Sequence, residues 1–170
     1  MDYKWIGAIL IIAGSCGFGF SLAAAHHREE SALEQLICAA DYMACELRFK
    51  MTPLPDLFLH AGLERKGIIG QFFRKLGNML STNKFSIPED CIVALLQETP
   101  ELPGQAREHL RLMGESLGKF DLEGQLAGID DVRTRARSAL ENLRKDKDLR
   151  LRSYQTLSLC AGAALAVLLI

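Results

Sequence analysis

Two stretches of the chain, residues 5–25 and 154–170, carry no charged side chain. Of the 41 Asp, Glu, Lys and Arg residues, 39 fall between Arg28 and Arg152. This confinement limits the fold more than any motif does. A helix rises about 1.5 Å per residue, so about 20 apolar residues cover the hydrocarbon layer of a bilayer. Residues 5–25 reach that length, and residues 154–170 sit at its lower limit. Between them lies a 128-residue middle, 26–153, about 30% charged and the size of one ordinary domain. The pattern excludes a plain cytosolic enzyme and a disordered chain.

The 20 basic residues balance 21 acidic ones, so no net field draws nucleic acid or holds the chain on an anionic surface, and nucleic acid is not an expected partner. Cys16, Cys38, Cys45, Cys91 and Cys160 are odd in number and form no C-x-x-C pair. That usage suits a reducing compartment rather than a disulfide framework or a zinc site. Lys4, the apolar run and Ala23-Ala24-Ala25 before His26 also look like a secretory signal. The run is too long for a signal core, and Asp2 weakens its positive start. Before the second apolar stretch stand Arg144, Lys145, Lys147, Arg150 and Arg152, opposed only by Asp146 and Asp148. Lys- and Arg-rich segments stay in the cytoplasm. The expectation is two membrane helices, 5–25 and 154–170, with the domain between them cytoplasmic and both termini on the far side.

Within the middle, Leu33, Leu36, Ile37, Ala40, Ala44, Leu47 and Met51 recur at helical spacing. No breaker separates them from the apolar segment, so one rod is expected from about Trp5 to Lys50, projecting ~36 Å beyond a bilayer. Thr52-Pro53-Leu54-Pro55 ends it. A short helical turn over 56–61 follows, with Gly62 as its cap. Residues 68–80 carry Ile69, Phe72, Phe73, Leu76, Met79 and Leu80 toward a core. Ser86-Ile87-Pro88-Glu89 spells a capping box for a helix to about Glu98, which Pro100 and Pro103 break. Residues 105–117 turn Ala106, Leu110, Met113 and Leu117 inward, with Gly118 as cap. Asp121 is the N-cap of a last helix carrying Leu122, Leu126, Ile129, Ala136, Leu140 and Leu143, unbroken into the second apolar segment. With no strand alternation and no hairpin signal, the fold class is all-α: an antiparallel bundle of about six helices whose first and last members continue into the membrane. The turns at 52–55 and 117–121 should meet at the tip far from the membrane.

Chemistry has few residues to carry it. His26 and Glu30 stand four apart, as two metal ligands would, without a third at a marked spacing. Single histidines, His60 and His109, lie beside apolar positions, and Asp130-Asp131 points its carboxylates to different helix faces. Cys38 and Cys45 share a face as small core residues. The glycines form neither a phosphate loop nor a dinucleotide fingerprint. No catalytic group, metal or cofactor is expected. In the apolar segments, Ala13, Gly17 and Ser21 lie four apart, and Gly162 with Ala166 matches them. Small residues at that spacing let helices approach closely in lipid, pairing the two segments with each other or with those of a neighbouring subunit.

These parts together resemble the stage III sporulation protein AB family. The resemblance rests on Trp5-Ile6-Gly7-Ala8 opening an apolar helix with Gly17-Phe18-Gly19, on E-L-x-F/Y-x-x-T-P-L-P at 46–55, on Leu117, Gly118, Asp121 and Gln125, and on Ala161-Gly162 before the apolar tail. It departs where members carry an aromatic residue after the central loop, since Cys91-Ile92 stands there. The resemblance implies a cytoplasmic domain like those of the type II secretion inner-membrane platform protein. It also implies a place in a channel complex of the mother-cell membrane around the forespore, with other membrane proteins and a partner ATPase, stage III sporulation protein AA. The tip residues Lys50, Thr52, Pro53, Leu54, Pro55, Gly118, Lys119 and Asp121 are then the expected docking surface for that ATPase. A signal-transducing membrane bundle is the alternative, and it lacks a sizeable extracytoplasmic sensing domain.

Overall fold

The computed structural model describes the backbone of residues 3–82, 87–118 and 120–169 and the side chains of 24–82, 87–118 and 120–145. Six helices follow one another: α1 Tyr3–Lys50, α2 Leu54–Leu63, α3 Gly67–Ser81, α4 Pro88–Glu98, α5 Gly104–Ser116 and α6 Leu122–Leu169. Among the described residues there is no strand, so the all-α expectation holds. Neither α1 nor α6 is interrupted between its charge-free end and the domain. No helix among the described residues is long and apolar enough to cross a membrane. The side chains of residues 5–23 and 154–170, including Ala13, Gly17, Ser21, Gly162 and Ala166, lie outside those described.

The two long helices run antiparallel, with low numbers on α1 set against high numbers on α6: Glu30 takes Arg144 and Asp41 takes Arg133. Beneath the ion pairs Leu33 and Ile37 pack on Ala136 and Leu140. The four short helices fill the space beside the rods, α2 pairing closely with α3, α4 with α5, and α5 lying on α6. Phe58, Phe72 and Phe73 form the bulk of the main core, with Phe58 stacked on Phe73 at 6.0 Å and Phe72 edge-on to it at 6.1 Å. Each buried ring contributes about 2–3 kcal/mol. Ala106, Leu110, Met113 and Leu117 are fully buried, as their spacing predicted. The α2–α3 pair approaches backbone to backbone at Gly77, where a Cβ would fall 2.7 Å from the Leu59 amide nitrogen.

Several local expectations need correction. Thr52–Pro55 does more than stop α1: α2 already begins at Leu54, with Pro53 as N-cap and Pro55 in the first turn. Proline lacks only amide donors that a first turn leaves unused. Gly62 is not a cap but a buried helical residue pressed on α3, and Glu64 ends the helix. The helix of the expected capping box, α4, opens at Pro88 with Ile87 at its N-cap; Ser86, on which the box rests, lies outside the described residues. Cys38 and Cys45 are exposed rather than core residues, since α1 buries instead the face of Ala32, Leu36, Ala39, Ala40 and Met43. Met51 is 71% exposed, because it leaves the helix with φ +52°, past the last packed turn.

Candidate functional site

At the tip of the bundle, the end away from the two charge-free stretches, the chain turns twice. The last turn of α1 is tied by Glu46, whose Oε1 accepts from Lys50 Nζ at 2.7 Å and whose Oε2 accepts from Thr52 Oγ1 at 2.9 Å. The Lys50 bond above all, and the Thr52 bond next, hold the Glu46 carboxyl below its usual range, and the same carboxylate raises Lys50. Burial first, and Glu46 next, push the Tyr42 phenol up. Its ring lies 5.7 Å from the Arg65 guanidinium, which donates at 2.8 Å to the Ala61 carbonyl.

The second turn closes on the first. Gly118 stands at φ +80°, and a Cβ there would come 2.9 Å from the Pro88 ring and 3.6 Å from Leu54. The tip therefore joins the start of α2, the start of α4 and the end of α5. Asp121 caps α6 as expected, its Oδ1 accepting from the Gly124 amide at 3.0 Å, and Gln125 Nε2 donates to the Phe120 carbonyl at 2.9 Å. Several polar groups at the tip are thus occupied, and beside the exposed Lys50 and Asp121 it offers outward three large apolar side chains, Met51 at 71% exposure, Phe120 at 58% and Ile87 at 43%.

The predicted tip residues divide accordingly. Lys50 and Thr52 are joined through Glu46, and Leu54 meets Gly118. Pro53 accepts the Leu57 amide at 2.9 Å, and the Pro55 carbonyl is turned toward α3, against Gly77. Lys119 lies outside the described residues. Glu46, Pro88, Met51, Ile87 and Phe120 were not anticipated. Of these, only Glu46 carried a sequence signal, its spacing of four from Lys50.

Elsewhere four of the candidate ligands, Glu30, His109, Asp130 and Asp131, are committed to structure. Glu30 accepts from Arg144 at 2.8 Å, and His109 is buried with Nδ1 2.6 Å from the Gln105 carbonyl. Asp130 and Asp131 pair with Arg133 and Arg135 on separate faces. No group of three or more His, Cys, Asp or Glu among the described residues could hold a metal. Arg74 donates to the Gly62 carbonyl at 2.7 Å, and Arg107 to the Leu96 and Thr99 carbonyls at 2.7 Å each, so these arginines close the ends of α2 and α4.

A family model described as stage III sporulation protein AB matches residues 4–170. A solved structure titled "Stage III sporulation protein AB (SpoIIIAB)" is similar with a TM-score of 0.64 and 18% identity, over 72% of this chain and 98% of that one. At that identity the likeness is one of fold. Among curated proteins none matches.

Proposed function

Because this chain belongs to the stage III sporulation protein AB family, which gives it a role in sporulation, we propose that it is a non-enzymatic platform of the mother-cell membrane around the forespore. It hangs its helical domain in the cytoplasm from two membrane helices, among other membrane proteins of a channel. Its distal tip docks a secretion-type ATPase.

The register of the two rods carries the reading. The numbers in the pairs Glu30–Arg144 and Asp41–Arg133 add to 174, and those in Glu34–Arg144 and Asp41–Arg137 add to 178. Continued along two unbroken helices, that register sets 154–170 opposite about 4–24. The two charge-free stretches of the sequence then lie level, and Arg144, Lys145, Lys147, Arg150 and Arg152 mark the boundary of the layer. Segments that share a depth share a solvent, and a bilayer is the solvent that accepts both. The opposite end of the rods carries the turn residues, with Met51, Phe120 and Ile87 exposed near it.

Two measurements test this. A reporter enzyme active only outside the cytoplasm, fused behind Ile170, should be active, and the same enzyme inserted after Thr82 should be silent; the reverse pattern refutes the topology. The Met51→Asp, Phe120→Asp double variant should recover at least about tenfold less ATPase in a pull-down from sporulating cells. Equal recovery by a variant with the parent's helical circular dichroism refutes docking at the tip.

A further inference from the structure

A groove of about 450 Å³ runs along the outer seam of α1 and α6, one turn back from the tip, its apolar wall made by Ala44, Cys45, Phe49, Leu126 and Ala127. Phe49 is 76% exposed there, the most exposed large apolar side chain among the described residues. Most charges on the rim are consumed within the chain. Asp41 accepts from Arg133 and Arg137, and Arg133 also pairs with Asp130. Arg48, in the last turn of α1, is not: it is exposed and takes no ion pair among the described residues, and neither does the exposed Glu123 in the first turn of α6, about one turn before the Leu126 and Ala127 of the groove wall. By the two registers of the rods Glu123 lies ~5–10 Å nearer the tip than the residues facing Arg48, within the combined reach of an arginine and a glutamate side chain.

We propose that this seam is where two copies of the chain meet about a two-fold axis. A two-fold contact uses the same patch on both sides, so the patch must contain both halves of every pairing. This one does: a cation on α1 and a carboxylate on α6, with Phe49 beside them. An axis through the seam sets Arg48 of one copy on Glu123 of the other, twice, and covers both Phe49 rings. An unrelated partner would need only one of the two charges. Under the membrane reading above, an axis parallel to the rods also leaves both copies anchored in one bilayer. The surface is the flank of the rods rather than the tip, so the contact stands or falls separately from ATPase docking.

The test is sedimentation of the full chain in mild detergent at low salt. The parent should associate, and Arg48→Glu or Glu123→Arg alone should each weaken association about tenfold, by placing like charges at both symmetric positions. Mixing the two single variants should restore it, because in the mixed dimer both pairings are again opposite in sign. Phe49→Glu should abolish association without rescue by mixing. A monomeric parent would overturn the proposal, as would association unchanged in both charge variants, which would place the contact elsewhere. Failure of the mixture, when both variants keep the parent's helical circular dichroism and melting, would also overturn it, by assigning the seam to a different occupant.

Discussion

Replacing Gly77 by alanine tests how the short helices hold the tip in place. A Cβ at this position of α3 would stand 2.7 Å from the Leu59 amide nitrogen and 2.8 Å from the Pro55 carbonyl oxygen. Both obstacles are backbone of α2, so no side-chain rotation relieves them. Restoring an ordinary carbon contact of about 3.4 Å moves α2 away by about 0.7 Å and loosens its packing on Phe72 and Phe73. Overpacking of that kind costs about 1–3 kcal/mol, and the rigid obstacles place it near the upper end. Alanine's better helix propensity returns about 1 kcal/mol, leaving a net loss of about 2 kcal/mol. In a domain of this size that lowers Tm by about 6–10 °C. The assay is thermal unfolding of the full chain in detergent, with Gly104→Ala alongside. Gly104 opens α5 with nothing within 4 Å of a Cβ, so its alanine variant should match the parent or exceed it by about 1–3 °C. A Gly77→Ala protein melting at or above the parent temperature would refute the close approach of α2 and α3. Since α2 carries Leu54 and Pro55, under the proposed docking of an ATPase at the tip the same shift should also weaken its recovery, without touching an exposed tip residue.

Two further outcomes follow from the described side chains. Cys91 is buried, and burial, helped by Asp90, pushes its thiol up; a maleimide at neutral pH should therefore modify Cys38 and Cys45 and spare Cys91 until the chain unfolds, as read by peptide mass spectrometry. Glu46 is held below its ordinary value of 4.5, so the stability it adds is fully present above that pH and is lost as the pH falls through its lowered folded value. Acid titrations of the parent and of Glu46→Gln should converge below that window and separate above it, and parallel curves throughout would contradict the two bonds at Glu46.

The helical core was legible because its signal is periodic. Leu33, Leu36, Ile37 and Leu110 declare a buried face by spacing alone, and Asp121 declared a cap by residue type followed by an apolar run. What escaped depended on the third dimension. Met51 keeps the apolar spacing of α1 yet falls outside, since only the left-handed backbone at that residue ends the helix, and Pro53 two residues later does not specify where the turn begins. Cys38 and Cys45 share a face, but which face of α1 is buried is decided by α2, α3, α5 and α6 packing beside it. Arg65, Arg74 and Arg107 bond to carbonyls 8 to 27 residues away, contacts that no local pattern encodes. The two turns meet, as the lengths of the two rods predicted, but the exposed surface beside them was not legible. A turn sequence names the residues that make the turn, Thr52, Pro53 and Gly118, and says nothing of Met51 and Phe120, which the turn leaves outside.

Among the described residues the ion pairs between the rods have the same polarity: Glu30, Glu34 and Asp41 on α1 face Arg133, Arg137 and Arg144 on α6. These groups are exposed, and exposed pairs stabilise little, so melting is the wrong readout for them. One-sided polarity instead selects partners, since it favours α1 beside α6 and opposes α1 beside α1 or α6 beside α6. That matters most where the rods leave the domain, because beyond Leu33 and Leu140 no described apolar contact joins them. Reversing Arg144→Glu adds a third carboxylate beside Glu30 and Glu34 and should splay the rods at this end. Restoring opposite signs with Glu30→Arg and Glu34→Arg should close them again. Spin labels introduced at His27→Cys and Lys145→Cys, with the native cysteines replaced, report the separation directly. The expected sequence is a narrow distance distribution, a broadened and longer one, and a narrow one restored. An unchanged distribution in the single reversal would show that Leu33, Ile37, Ala136 and Leu140 set the pairing alone, and that the charges take no part in delivering the two helices side by side.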